Sequence, residues 1–117
     1  IGYEMGKLLN KETIFAERIN NNFTLRRDFK IPSSSKVLIV EDVITTGKSS
    51  LECVEIIKKS EAKTIGFACL IDRSQGKSVI KSKIVSQIEI NIPTYDKKNL
   101  PETLLSIKAV KPGSRGL

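Results

Sequence analysis

Residues 41–49 read Glu-Asp-Val-Ile-Thr-Thr-Gly-Lys-Ser: two adjacent carboxylates, two apolar residues, then a turn rich in hydroxyls. Thr45, Thr46 and Ser49 offer hydroxyls, Gly47 lets the backbone come close to a ligand, and Lys48 adds a cation. If a helix begins here, its free amides and its dipole favour an anion. The segment is a cradle for a monophosphate. Just upstream, Glu41 and Asp42 are of the type that accepts hydrogen bonds from vicinal hydroxyls such as those of a ribose. The bland alternative for the paired acids is a capping or solvated role. The ending Gly47-Lys48-Ser49 invites comparison with the phosphate loop of nucleotide hydrolases, which requires a glycine five positions before its Gly-Lys. Asp42 stands there, and a carboxylate would face the phosphates it should attract, which argues against a hydrolase.

The elements that must position these residues follow from hydrophobic patterning. Val37 to Val40 form an apolar run expected to be a buried parallel strand, and Leu51, Val54 and Ile57 recur at helical spacing beyond Gly47. The order is strand, acidic turn, then a helix ending near 58–63. Residues 64–72, another apolar run bounded by charge, predict a second buried strand ending at Asp72-Arg73. Residues 83–90 alternate loosely and predict a third, nearer an edge. Ahead of these, residues 4–9 read as helix and 13–16 have strand composition. Residues 18–30 are polar and basic, with a turn at Asn20 to Asn22 and a two-stranded arm carrying Phe23, Leu25 and Phe29. Arg18, Arg26, Arg27 and Lys30 make this arm an ordinary exposed hairpin or a flexible loop that closes over an anionic ligand. The stretch 31–36 is a loop, and 111–117 is irregular. Alternating strands and helices predict a single α/β domain with a mainly parallel central sheet flanked by helices. Ligands of such sheets sit outside the carboxyl ends of the strands, where Glu41-Asp42 and Asp72-Arg73 are expected.

Composition bounds the function. The chain of 117 residues is 39% apolar, enough for a core in about one domain. Its net charge of +7 is spread without a run of like charges, and aromatics are only 5%, so no basic and aromatic stripe for unpaired bases is present. An anionic small molecule suits that surplus at least as well as nucleic acid, and nucleic acid is not the expected partner. With His 0, Ser-His and Cys-His nucleophilic sites are ruled out within the chain, and any metal is expected to be a hard ion held by oxygen. Cys53 and Cys69 lack metal-site spacing and are expected to be buried free thiols, which fits a reducing, cytoplasmic setting. No apolar stretch approaches membrane-spanning length, and the sequence starting at Ile1 has no signal-peptide pattern.

The stretch "VLIVEDVITTGKS" resembles the phosphoribosyl pyrophosphate motif of the type I phosphoribosyltransferases, an apolar strand followed by two acids and a threonine- and glycine-rich turn. With "IGYEMGKLL", "TLRRDF", "LIDRSQG", "IPTYD" and "VKPGSRGL" in that order, essentially the whole chain is similar to the orotate phosphoribosyltransferases of bacterial type. The resemblance implies transfer of a 5-phosphoribosyl group from phosphoribosyl pyrophosphate to orotate. Glu41 and Asp42 would hold the ribose hydroxyls, and Thr45, Thr46, Gly47, Lys48 and Ser49 the 5-phosphate, with Val43 and Ile44 in the same substrate-binding run. Thr45 and Arg73 would also meet orotate. For Arg73 there is an independent reason, since a guanidinium meets a carboxylate or carbonyl oxygens with paired hydrogen bonds. A salt bridge to Asp72 or another surface acid is the competing role.

Further implications come from the same resemblance. Magnesium would be bound mainly through pyrophosphate and ribose oxygens, with no residue assigned as its ligand, and the working unit would be a homodimer. Where relatives carry lysines and a histidine in the mobile loop, this chain has Arg18, Arg26 and Arg27, expected to act as electrostatic clamps on pyrophosphate because arginine is a poor proton donor. The family's glycine-containing pyrophosphate loop precedes "IGYE", so 1–117 reads as a single domain lacking the family's N-terminal part. Two readings stay open beside this one: a phosphoribosyl pyrophosphate sensor that binds nucleic acid, and transfer to a purine.

Overall fold

The structure is a computed structural model, and it describes residues 1–20, 22–25, 28–96, 98–108 and 110. Asn21, Arg26, Arg27 and residues 111–117 lie outside the described residues, and with them one asparagine of the expected turn, two loop arginines and the tail.

Helix α1 (Gly2–Leu9) ends at Asn10, which takes a left-handed conformation and returns its amide to the carbonyls of Gly6 and Lys7. The chain then folds back across the helix. Lys11 donates to the Gly6 carbonyl at 2.8 Å, and the Thr13 hydroxyl donates to Gly2 at 3.2 Å. Gly6 permits this crossing, because a methyl group there would collide with Thr13 and reach within 2.8 Å of the Lys11 carbonyl. The expectation of a strand from Thr13 is corrected here: these bonds occupy the 11–13 segment, and strand β1 (Ala16–Ile19) starts only at Ala16. It pairs antiparallel with β2 (Asn22–Leu25), with Ala16 opposite Leu25, and Phe15 meets Phe29 edge to face at 5.3 Å. The basic stretch therefore does form the predicted two-stranded arm.

Strand β3 (Lys36–Ile44) lies beside β4 (Lys63–Asp72), which lies beside β5 (Ile84–Glu89), all parallel in the order β3-β4-β5. Helix α2 (Lys48–Lys59) makes the crossover from β3 to β4. Between Val37 and Leu38 the register shifts, leaving Ile65 as an extra residue on β4. β3 outruns the expected strand. Val43 and Ile44 still pair with Ile71 and Asp72, so Glu41 and Asp42 belong to the strand rather than to a turn after it. A continuing ladder to β4 satisfies their backbone groups as well as a turn would.

The core lies between α2 and one face of this sheet. Ile39, Phe67 and Cys69 are buried on the sheet side, Ile57 closes the helix side, and Cys53, Val54 and Ile84 pack at the margin. Burying a ring such as that of Phe67 is worth about 3–5 kcal/mol by the usual cost of truncating it. On the strands, Leu38, Leu70 and Val85 alternate with these core positions and stay exposed. A short helix, α3 (Glu102–Leu105), was not foreseen. Among the described residues no helix is long and apolar enough to cross a membrane.

Candidate functional site

The carboxyl ends of β3 and β4 are held together beyond their ladder. The Arg73 amide donates to the Ile44 carbonyl at 2.8 Å, and past β5 the Ile90 amide donates to Asp72 at 2.9 Å. Ile44 itself is 2% exposed, so its side chain belongs to the core and its carbonyl anchors the loop after β4. Between β3 and α2 the chain turns through Thr45, Thr46 and Gly47, and Gly47 has φ 78, a left-handed value that favours glycine. The turn rests on the segment after β4. The Thr46 carbonyl accepts the Val79 amide at 2.9 Å and the Ser78 hydroxyl at 3.4 Å, and that hydroxyl oxygen accepts the Ile80 amide at 3.1 Å.

Helix α2 begins here with no side chain capping it, although the Thr46 hydroxyl accepts the Lys48 amide at a long 3.4 Å. The amides of its first turn have no partner within the helix and face the direction from which an anion would come. Thr45, Thr46, Lys48 and Ser49 are all exposed around that opening. Basic Lys58 and Lys59 complement the far end of the helix dipole.

The two acids are placed differently from each other. Consecutive strand residues leave the backbone on opposite sides. Glu41 is half-buried and accepts the Ser50 hydroxyl at 3.0 Å, with Ser50 only 1% exposed beneath the first turn of α2. Asp42 is exposed and accepts the Val43 amide at 2.7 Å. Ser50 escaped the sequence reading. Its one available signal was a third small hydroxyl residue directly after Ser49.

Beside the turn lies an open cavity of about 490 Å³ whose walls include Thr45, Thr46, Arg73, Gln75, Lys77 and Asn91. Arg73 lines it, and its Nε is buried without a hydrogen-bond partner. The competing role of Arg73 in a salt bridge with Asp72 is not seen among the described residues: the Asp72 carboxylate instead accepts the Ser74 amide at 2.7 Å. The Nε is itself shielded from solvent, so it is Arg73 as a lining residue that puts a guanidinium beside the cavity. Gln75, Lys77 and Asn91 were missed from sequence, although "LIDRSQG" already placed Gln75 two positions after Arg73.

Arg18 is not in this cavity wall. It forms an ion pair with Glu52 of α2 at 2.9 Å, and its guanidinium lies 4.4 Å from the centre of the Phe23 ring. Together these contacts hold the arm against the first half of α2. Arg26 and Arg27 lie outside the described residues. Both cysteines are free, as expected; Cys53 is half-buried and Cys69 buried. Burial, with the nearby carboxylates of Glu41 and Glu52, pushes the Cys53 thiol up to about 11, and burial raises Cys69 as well.

Comparison with known proteins bears on this arrangement. Residues 3–106 match the model of the phosphoribosyl transferase domain. The chain is 45% identical over 116 residues to an orotate phosphoribosyltransferase of Maricaulis maris, covering 99% of this chain and 60% of that protein. It is 44% identical over 114 residues to the enzyme of that name from Parvibaculum lavamentivorans, covering 97% of this chain and 59% of the relative. The corresponding figures for Methylorubrum populi are 46% over 117 residues, 99% and 60%. The chain thus spans about 60% of the length of these relatives.

Proposed function

Because the chain belongs to the phosphoribosyl transferase domain family, we propose that it carries the phosphate, ribose and base sites for transfer of the 5-phosphoribosyl group from phosphoribosyl pyrophosphate to orotate, within pyrimidine biosynthesis. In that reaction the bond between the ribose anomeric carbon and pyrophosphate oxygen breaks with its electrons leaving on pyrophosphate, a bond from that carbon to a ring nitrogen of orotate forms, and that nitrogen's proton is released to pyrophosphate or solvent. The products are orotidine 5-phosphate and pyrophosphate. The observation that carries the base assignment is Arg73 in the wall of a cavity that also takes in the Thr45-Thr46 turn, with the neighbouring Asp72 carboxylate engaged by the Ser74 amide instead. Orotate presents a carboxylate and carbonyl oxygens, the acceptors a guanidinium is shaped to meet.

The roles in this reading are those the motif implies. The turn and the amides of α2 bind the 5-phosphate, and Glu41 and Asp42 hold the ribose. As pyrophosphate leaves, positive charge grows on the sugar ring, and fixed carboxylates beside it stabilise that charge more than they stabilise the ground state. No covalent nucleophile is required. Arg18, Arg26 and Arg27 serve as cationic clamps for pyrophosphate, and for Arg18 this requires release from Glu52. Magnesium would neutralise the leaving group. Its preference for oxygen, and for retaining substrate and water ligands, suits a site where the nearby protein donors are the carboxylates of Glu41 and Asp42. The working unit is a cytoplasmic homodimer in this reading, and the exposed apolar residues of the sheet and of α1, such as Leu8 at 83% exposure, support an associating surface. Nucleic acid has no part in it.

Calorimetry decides the substrate class. Orotidine 5-phosphate is expected to bind this chain at least tenfold more tightly than guanosine 5-phosphate, a difference of about 1.4 kcal/mol. Equal binding would move the reading to a purine acceptor. Light scattering across a concentration series tests the dimer.

A further inference from the structure

The loop after β4 has an unusual construction. Gln75 takes φ 51 and Gly76 takes φ 71, so two successive residues are left-handed, and only the second is a glycine. A glutamine favours that backbone conformation less than a glycine does, so a tie from outside the loop helps hold it. The Gln75 side chain supplies the tie. Its Nε2 donates to Asn91 Oδ1 at 2.6 Å, joining the loop to the segment that follows β5. Asn91 is in turn seated by its neighbour, since the Ile90 amide donates to the Asp72 carbonyl at 2.9 Å. The loop's base is equally fixed, by the Arg73 amide on Ile44 and by the Lys77 amide on Ser74 at 2.9 Å. Arg73, Gln75 and Asn91 all line the same cavity.

We propose that Gln75 and Asn91 are positioning residues for base recognition: their hydrogen bond closes the cavity wall and fixes the loop that carries Arg73, thereby setting the preference for an acidic pyrimidine. The inference rests on the orotate reading above and adds the residues that enforce it. Arg73 alone is a long side chain with many rotamers. Its selectivity for one planar acid depends on a backbone that does not shift, and the Gln75 to Asn91 bond joins two cavity-lining residues from segments beyond the end of the β4–β5 ladder.

The test uses the full chain with Gln75→Leu, Asn91→Leu and the double substitution, neither residue being charged. Calorimetry reads the affinities for orotidine 5-phosphate and for ribose 5-phosphate, and hydrogen exchange of the ligand-free protein reads the amides of 74–77. Each single substitution is expected to speed that exchange and to weaken orotidine 5-phosphate by roughly three- to tenfold, the equilibrium worth of one net hydrogen bond. Ribose 5-phosphate should change by less than about twofold, and the double variant should match the singles because both remove one interaction. Unchanged orotidine 5-phosphate affinity, equal loss of both ligands, or additive effects in the double variant each overturn the proposal. If the unsubstituted chain does not prefer orotidine 5-phosphate to ribose 5-phosphate, the orotate reading itself falls and takes this inference with it.

Discussion

Replacing Gly47 with alanine adds a single methyl group where β3 turns into α2, and the structure sets out what that group meets. Its carbon would lie 2.5 Å from Ser78 Oγ and 2.8 and 2.9 Å from Ile80 Cγ1 and Cδ1. The serine has little freedom to rotate away. Its oxygen already accepts the Ile80 amide and its hydroxyl donates to Thr46, while Ile80 is 7% exposed and packed into the core. The steric term is therefore that of overpacking, about 1–3 kcal/mol. A second term is conformational, because φ 78 is left-handed and costs an alanine about 1–2 kcal/mol more than a glycine. The sum is roughly 2–5 kcal/mol against a typical domain stability of about 5–15 kcal/mol. If the turn yields instead of the core, the loss appears as phosphate affinity, since the amides of α2 move with it. Urea unfolding and ribose 5-phosphate calorimetry on the same variant divide the two. A variant that unfolds within about 0.5 kcal/mol of the unsubstituted chain and binds ribose 5-phosphate within twofold would refute the reasoning, because surface substitutions of no consequence fall in that range.

Arg73→Ala should weaken orotidine 5-phosphate by roughly 10- to 150-fold, the worth of a hydrogen bond to a charged group, while ribose 5-phosphate binding and the urea midpoint hold steady; calorimetry on both ligands reads the split. Cys53 gives a pH signature. Its thiol is raised to about 11 in the folded chain from an ordinary 9.0, so between those values the unfolded chain loses the proton first. Stability contributed by the neutral thiol is therefore full below about pH 9 and is lost as pH rises towards 11. The urea midpoint of the unsubstituted chain should fall more steeply over that window than that of Cys53→Ala, and parallel curves would count against the assignment.

Much of this was legible in the chain. The runs 37–40 and 64–72 declared their strands because a parallel strand covered by a helix tolerates few polar residues, and the second of them, β4, is also paired on both edges. Leu51, Val54 and Ile57 declared α2 through their spacing, and Val54 and Ile57 do pack towards the core. The turn into α2 was readable because hydroxyls, glycine and a helix start are adjacent in sequence. Thr13 to Phe15 misled, since their strand composition was outweighed by a hydroxyl that found the Gly2 carbonyl. The acids at 41 and 42 were expected in a turn because charge ends an apolar run, yet the ladder to Ile71 and Asp72 carries the strand through them.

The sequence by itself determined the family, the α/β alternation and the hydroxyl-rich turn at the start of α2, all of which depend on residues that are neighbours along the chain or repeat at a fixed period. Only the tertiary structure decided what surrounds Arg73. Asp72 turned its carboxylate to the Ser74 amide, leaving the guanidinium Nε unpartnered, and Gln75 reached Asn91 across 16 positions. The parallel register of β4 and β5, with Asp72 beside Glu89, brings those two segments side by side. Contacts of that kind have no period and no local signature: they exist because two strands ended at the same edge of a sheet.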